Sequence, residues 1–199
     1  FPYSMLKSQD IIQKTKEDYN TIAKDFSATR YFIRPELKQF DNLIKDDQKI
    51  LDWGCGNGNL SLLIKDKKIE YYGVDQSKEL LKIAKKLFPT HAVNAKPKFF
   101  CTADKDKEFP ENYFDLVFMV ASFHHLPDKE TRLKLLKKIY KKMKPDAHLI
   151  ITVWNLESNW AKGKLIKGNI EKNNEDDYLV HWKNQDRKLI TKRYYHNFQ

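Results

Sequence analysis

The sequence predicts an open α/β fold, a mostly parallel sheet with helices on both faces, and three observations carry that reading. Apolar, strand-like runs alternate with helix-period segments five times between residues 50 and 154. The first run passes directly into a glycine-rich turn and a helical pattern, ILDWGCGNGNLSLLI at 50–64. The first three runs also end in acids, Asp52, Asp75 and Asp104. Open parallel sheets bind ligands just beyond the carboxyl ends of their strands, so acids there are candidates for contact.

Residues 7–28 read as a helix with Tyr19, Ile22, Ala23 and Phe26 on one face, at i, i+3, i+4 and i+7. Pro35 starts a second helix carrying Leu37, Phe40, Leu43 and Ile44. Ile50-Leu51 is a buried strand ending at Asp52, and IEYYGVD at 69–75 is the second strand. A helix at 77–88 turns Leu80, Leu81, Ala84 and Leu87 inward and stops at Pro89. KPKFFCTA (96–103) is the third strand, and FDLVFMVASFHHL (114–126) the fourth, apolar throughout and so buried on both faces. Asp128 caps a helix at 129–143 with an apolar stripe of Leu133, Leu136, Ile139, Tyr140 and Met143 and a lysine-rich opposite face. HLIITVW at 148–154 is the fifth strand. Residues 155–177 are polar and read as a mobile insertion, followed by two aromatic-rich patches, YLVHW (178–182) and RYYHNF (193–198).

At 199 residues the chain reads as one domain, with N-terminal helices at 7–45, a nucleotide-binding core at 46–154 and a substrate-facing C-terminal segment at 155–199. Lys+Arg 37 against Asp+Glu 27 gives a formal charge of +10, which suits a polyanionic partner, though a lysine-rich proteome produces the same excess. Cys55 and Cys101 have neither disulfide nor zinc spacing, which points to a reducing cytoplasm and to no metal. No run approaches the ~20 apolar residues of a membrane span, and no signal peptide is visible. Phe1 to Ser4, ahead of Met5, read as a remnant.

The turn itself discriminates among ligands. Glycines at alternate positions (Gly54, Gly56, Gly58) let the chain turn sharply and bring backbone N–H groups close to a ligand. The dinucleotide fingerprint G-x-G-x-x-G would need glycine at 59, and Asn59 stands there. Asp75 lies 17 residues beyond Gly58, where a carboxylate can accept from both hydroxyls of a ribose; a helix cap is the plainer role. Asp104 is either a partner for an adenine amino group or a surface-loop acid.

The pattern D-x-G-x-G-x-G resembles motif I of class I S-adenosylmethionine-dependent methyltransferases. Four stretches together resemble one branch, the tRNA wobble-uridine carboxymethyl methyltransferases: YNTIAKDFSATRY (19–31), DWGCGNGN (52–59), ASFHHLPDKETR (121–132) and RYYHNF (193–198) after YLVHW. Two departures stand out. His181 occupies a position where the family usually has proline, and the chain ends at Gln199 where relatives continue, so either the C-terminus is truncated or the sheet closes differently. The resemblance implies a Rossmann-like fold and S-adenosylmethionine contacts at Asp52, Gly54, Gly56, Gly58, Asp75, Gln76, Asp104 and Val120, with Tyr19 and Trp53 bordering the cofactor. It implies tRNA as substrate, methyl transfer to a uridine carboxymethyl carboxylate, and a possible small activator subunit. Arg30 is the candidate carboxylate clamp, with His124 and His125 at the substrate entrance and Arg193, Tyr194, Tyr195 and His196 as contacts to a splayed base. Two alternatives are a small-molecule methyltransferase and a non-catalytic S-adenosylmethionine-binding module.

Overall fold

A computed structural model describes residues 3, 6–89, 94–102 and 108–198. Its chain order is α1 (Ser8–Ala28), a 3-10 helix (Pro35–Leu43), β1 (Lys49–Trp53), α2 (Ser61–Ile64), β2 (Glu70–Asp75), α3 (Lys78–Leu87), β3 (Lys98–Cys101) and β4 (Phe114–Val120). A short 3-10 turn (Phe123–His125) follows, then α4 (Lys129–Lys142), β5 (Met143–Thr152), α5 (Asn159–Ile166), β6 (Ile170–Lys172), β7 (Asp177–Lys183) and β8 (Leu189–His196). The first five strands form one parallel sheet in the order β3-β2-β1-β4-β5.

Strand alternation builds a core on each face of this sheet. Ile50, Tyr71, Leu116 and Phe118 point to the side covered by Leu81 and Ala84 of α3. Leu51, Tyr72, Val117 and Met119 point to the side covered by Leu135, Leu136 and Ile139 of α4. Helices therefore lie on both faces, as the apolar fourth strand requires. The caps are local: Ser77 Oγ accepts from Leu80 N–H at 3.2 Å, and Asp128 Oδ1 accepts from Thr131 N–H at 2.7 Å.

Several expectations need correcting. The second helix is a 3-10 helix, and α4 buries a narrower stripe than its sequence suggests. Leu133 is 45% exposed and Tyr140 78% exposed, because Leu135, Leu136, Ile139 and Met143 face the sheet instead. Leu87 lies at the surface as well. The fourth strand ends at Val120, and the fifth begins at Met143 rather than at His148.

The largest correction concerns 155–177, which holds α5, capped by Ser158, and β6. Of its six apolar residues, Leu156, Ala161 and Ile170 are buried with Tyr178, Val180 and Tyr195, while Trp160, Leu165 and Ile166 are exposed. The aromatic patches lie on β7 and β8, which join β6 in an antiparallel sheet of order β6-β7-β8. Helix α1 packs on α3 and on β8, tying this second sheet to the core. No described helix is long and apolar enough to cross a membrane.

The chain runs β1-β2-β3 to one side and resumes at β4 on the other, so a crevice opens beyond the carboxyl ends of β1 and β4. Gly54 sits in it with φ +82°, and a Cβ there would stand 2.3 Å from Ser122 Cβ. Gly54→Ala should therefore lower stability by at least the ~1–3 kcal/mol of a non-glycine residue held in this backbone region. A lower urea midpoint at unchanged m-value checks it.

Candidate active site

The crevice holds a cavity of about 440 Å³, within the range of small-molecule sites. The turn after β1 provides one wall with Trp53, Gly54, Cys55 and Gly56, and β2 adds Asp75 and Gln76 at its end. Val120 ends β4, Ala121 and Ser122 follow it, and Tyr19, Phe26 and Arg30 come from α1 and its exit. Arg193 and Tyr195 of β8 close the far side, and Lys134 and Lys138 of α4 border it.

The turn is pinned by hydrogen bonds to β2. Val74 O accepts from Gly54 N–H at 2.7 Å and Cys55 N–H at 3.1 Å. Asp75 accepts from Gly56 N–H at 2.8 Å and Ser77 N–H at 2.7 Å, one on each carboxylate oxygen. Burial raises the Asp75 pKa, opposed by the N–H groups of Ser77, Gly56 and Gln76. Each oxygen keeps a lone pair for a ligand hydroxyl.

Asp52 is fully enclosed. Tyr71 donates to its Oδ2 at 2.6 Å, while its Oδ1 has no partner among the described residues. Burial pushes the Asp52 carboxyl up to about 7, with Tyr71 pulling it down and Asp75 adding to the rise.

On the wall formed by α1 and β8, His125 Nδ1 lies 2.7 Å from Tyr194 O and its Nε2 lies 2.9 Å from Tyr19 Oη. A carbonyl can only accept, so Nδ1 carries the proton and Nε2 accepts from the Tyr19 hydroxyl. Arg193 Nη1 donates to that hydroxyl at 3.2 Å. Burial lowers the His125 pKa to about 3, the Tyr194 carbonyl working against that fall and Arg193 adding to it, so the ring is neutral at physiological pH.

Arg193 is buried among rings, its Cζ 5.1 Å from the Trp182 centroid, 5.4 Å from Tyr195 and 5.6 Å from Tyr19. Arg30 sits over Trp182 at 5.3 Å and over Phe26 at 4.9 Å. Among the described residues neither guanidinium has a carboxylate partner, and Arg193 Nε is buried without any hydrogen bond. Burial, and next the charge of Arg193, lower the Arg30 pKa.

The other residues singled out from the sequence lie elsewhere. His124 is fully buried, stacked on Tyr195 at 4.4 Å with Trp154 N–H donating to its Nδ1 at 3.4 Å, and does not line the cavity. Gly58 packs against Phe99 and Ala84, off the cavity wall. The Tyr194 hydroxyl donates to Asp177, and His196 Nδ1 lies 2.9 Å from the same Asp177 oxygen; both are turned away from the cavity. Asp104 lies outside the described residues. Among the described residues, no group of three or more His, Cys, Asp or Glu could hold a metal ion.

A family model described as a methyltransferase domain matches residues 26–194. The chain belongs to this methyltransferase family. Among curated proteins, a tRNA (carboxymethyluridine(34)-5-O)-methyltransferase of Arabidopsis thaliana is 29% identical over 160 residues, covering 77% of this chain and 36% of the relative. The protein of the same description from Saccharomyces cerevisiae is 26% identical over 176 residues, covering 88% of this chain and 57% of the relative. The methyltransferase chain thus spans well under two thirds of either. A solved structure of a SAM-dependent methyltransferase from Methanosarcina mazei is 21% identical with TM-score 0.63, over 84% of this chain and 79% of that one. At that identity the likeness is one of fold.

Sequence reasoning singled out neither Trp182 as the ring that both arginines contact nor Phe26 as a cavity wall. The available signal was the pair of aromatic–basic patches, whose antiparallel pairing sets Trp182 opposite Thr191, two residues from Arg193.

Asp52 makes this methyltransferase pH-sensitive in a defined direction. Its folded pKa of about 7 exceeds the unfolded value near 3.8, so its contribution is fully present below about pH 4 and is lost as pH rises through 7. The stability of wild type relative to Asp52→Asn should therefore fall by up to a few kcal/mol from pH 4 to 7.5, measured by urea unfolding across that range.

Proposed function

We propose that this chain is an S-adenosylmethionine-dependent methyltransferase that esterifies the carboxylate of 5-carboxymethyluridine at the tRNA wobble position. The observation that carries the acceptor assignment is the pair of guanidiniums flanking Trp182, Arg30 and Arg193, at a cavity wall without a carboxylate partner among the described residues. Two partly desolvated cations side by side are costly until an anion joins them. A carboxylate is that anion, and guanidinium grips it in bidentate fashion.

The donor side fits S-adenosylmethionine. Asp75 offers a free lone pair on each oxygen at the end of β2, and the unpartnered Asp52 Oδ1 suits a cationic amino group. When bound, this cofactor supplies an electrophilic methyl group on a sulfonium centre. The acceptor carboxylate is ionised at neutral pH, so the protein has no proton to remove. His125 accordingly serves as a positioning residue: both its nitrogens are engaged, and it holds the Tyr19 hydroxyl that Arg193 grips. Orientation and exclusion of water are what these residues contribute. The curated relatives' descriptions support tRNA as substrate, and the +10 charge agrees with it. A small activator subunit and a cytoplasmic location belong to the same proposal.

Two experiments test the two halves. Asp75→Ala should weaken S-adenosylmethionine binding by about 1.5–3 kcal/mol in calorimetric titration; unchanged affinity would place the ribose contact elsewhere. Arg30→Lys keeps the charge but loses the planar fork, so single-turnover methylation of carboxymethyluridine-containing tRNA should slow at least ten-fold, roughly the lower bound for removing a bidentate charged pair. Cofactor affinity should hold. Wild-type rates in Arg30→Lys and Arg30→Ala would remove Arg30 from the clamp, and a preference for small organic acids over tRNA would replace the substrate.

A further inference from the structure

Helix α4 carries six lysines and Arg132 against a single acid, Glu130 in its first turn. Arg132 is engaged, donating to Leu126 O and lying over Phe198, but no described ion pair involves an α4 lysine. Lys134, Lys137, Lys138 and Lys141 are exposed, and with i, i+3 and i+4 spacing they share one side of the helix, a track roughly 10 Å long. The track reaches the site: Lys134 and Lys138 border the cavity, and Lys138 Nζ lies 5.7 Å from the Trp53 ring centroid. Tyr140, three residues after Lys137 and next to Lys141, is 78% exposed on the flank of this track.

We propose that this outward face of α4 is where the polynucleotide runs to the active site, lysines on successive phosphates and Tyr140 stacked on an unpaired base. The proposal rests on the tRNA reading above and adds the surface. Phosphate neutralisation accounts for unpaired cations in a row, and base stacking for an exposed ring beside them. The continuity of the track with the cavity wall places a splayed nucleotide within reach of Arg30 and Arg193.

Binding of unfractionated tRNA across a salt series tests this on the full chain. Lys137→Gln/Lys141→Gln should lower affinity about ten-fold at low salt and flatten the log–log slope by roughly 0.7–0.9 for each phosphate left without its lysine. Tyr140→Ala should weaken binding about five-fold or more and leave the slope unchanged, since stacking releases no counterions. The exposed Lys85 and Lys86 of α3 supply a control with the same charge change, and Lys85→Gln/Lys86→Gln should have a distinctly smaller effect. Equal effects from the α3 and α4 pairs would reduce the result to net charge and overturn the proposal, as would wild-type affinity in the α4 variants. A wild type that binds tRNA through α4 and methylates none would instead overturn the reaction proposed above while leaving this surface in place.

Discussion

The architecture of the site depends on one buried carboxylate. Asp75 accepts from Gly56 N–H on one oxygen and from Ser77 N–H on the other, joining the glycine turn after β1 to the start of α3. Its burial would be prohibitive without those donors. The link then passes to α1: Ser77 Oγ donates to Asn20 Oδ1 at 2.8 Å, and Glu79 N–H donates to the same oxygen at 3.2 Å. Asn20 thus receives donors from the first turn of α3, and α1 is registered against it. Its neighbour Tyr19 is delivered to the opposite wall of the cavity, so two walls of the crevice are positioned by one chain of hydrogen bonds.

The second sheet meets that chain at Tyr19. Arg193 reaches the tyrosine hydroxyl from β8, and His125, in the turn after β4, accepts the hydrogen bond that the hydroxyl donates. The orientation is set by Tyr194 O, which forces the proton onto Nδ1. A neutral imidazole matters here, because a third positive charge beside Arg193 and Arg30 would add repulsion to a wall already short of counter-charge. Burial keeps His125 neutral, and stacking of His124 on Tyr195 packs the ring beside Arg193.

The core was legible because its signals are local. Alternating apolar runs gave β1 through β5, and Gly54, Gly56 and Asp75 follow from the chemistry of a turn at a strand end. Arg30, singled out for its place after the α1 face, lines the cavity. The second sheet resisted for a physical reason: the buried Leu156, Ala161 and Ile170 follow no strand or helix period in a segment whose other apolar residues are exposed, and become a core only against Tyr178 and Tyr195. The paired histidines were ambiguous likewise, because adjacent residues in a 3-10 turn face different ways, one to Tyr19 and one to Tyr195. Tyr140 misled because a helical stripe of five apolar residues is wider than the surface the sheet offers.

The two arginines show how aromatic packing can hold charge in readiness. A guanidinium placed against a carboxylate would be stable and already neutralised, and so of little use to an anionic ligand. Ring faces provide attraction without neutralisation, since a quadrupole draws the cation while leaving its N–H groups unspent. Trp182 serves both Arg30 and Arg193 in this way, with Phe26 and Tyr195 completing the enclosure. Among the described residues the planar N–H fork of Arg193 is consequently only partly used, Nη1 on Tyr19 and Nε on no acceptor. An unsatisfied buried donor costs about 1–3 kcal/mol, which the fold carries here. On the proposed reading, a neutral ligand would leave that cost in place, whereas a carboxylate reaching these guanidiniums would offset it.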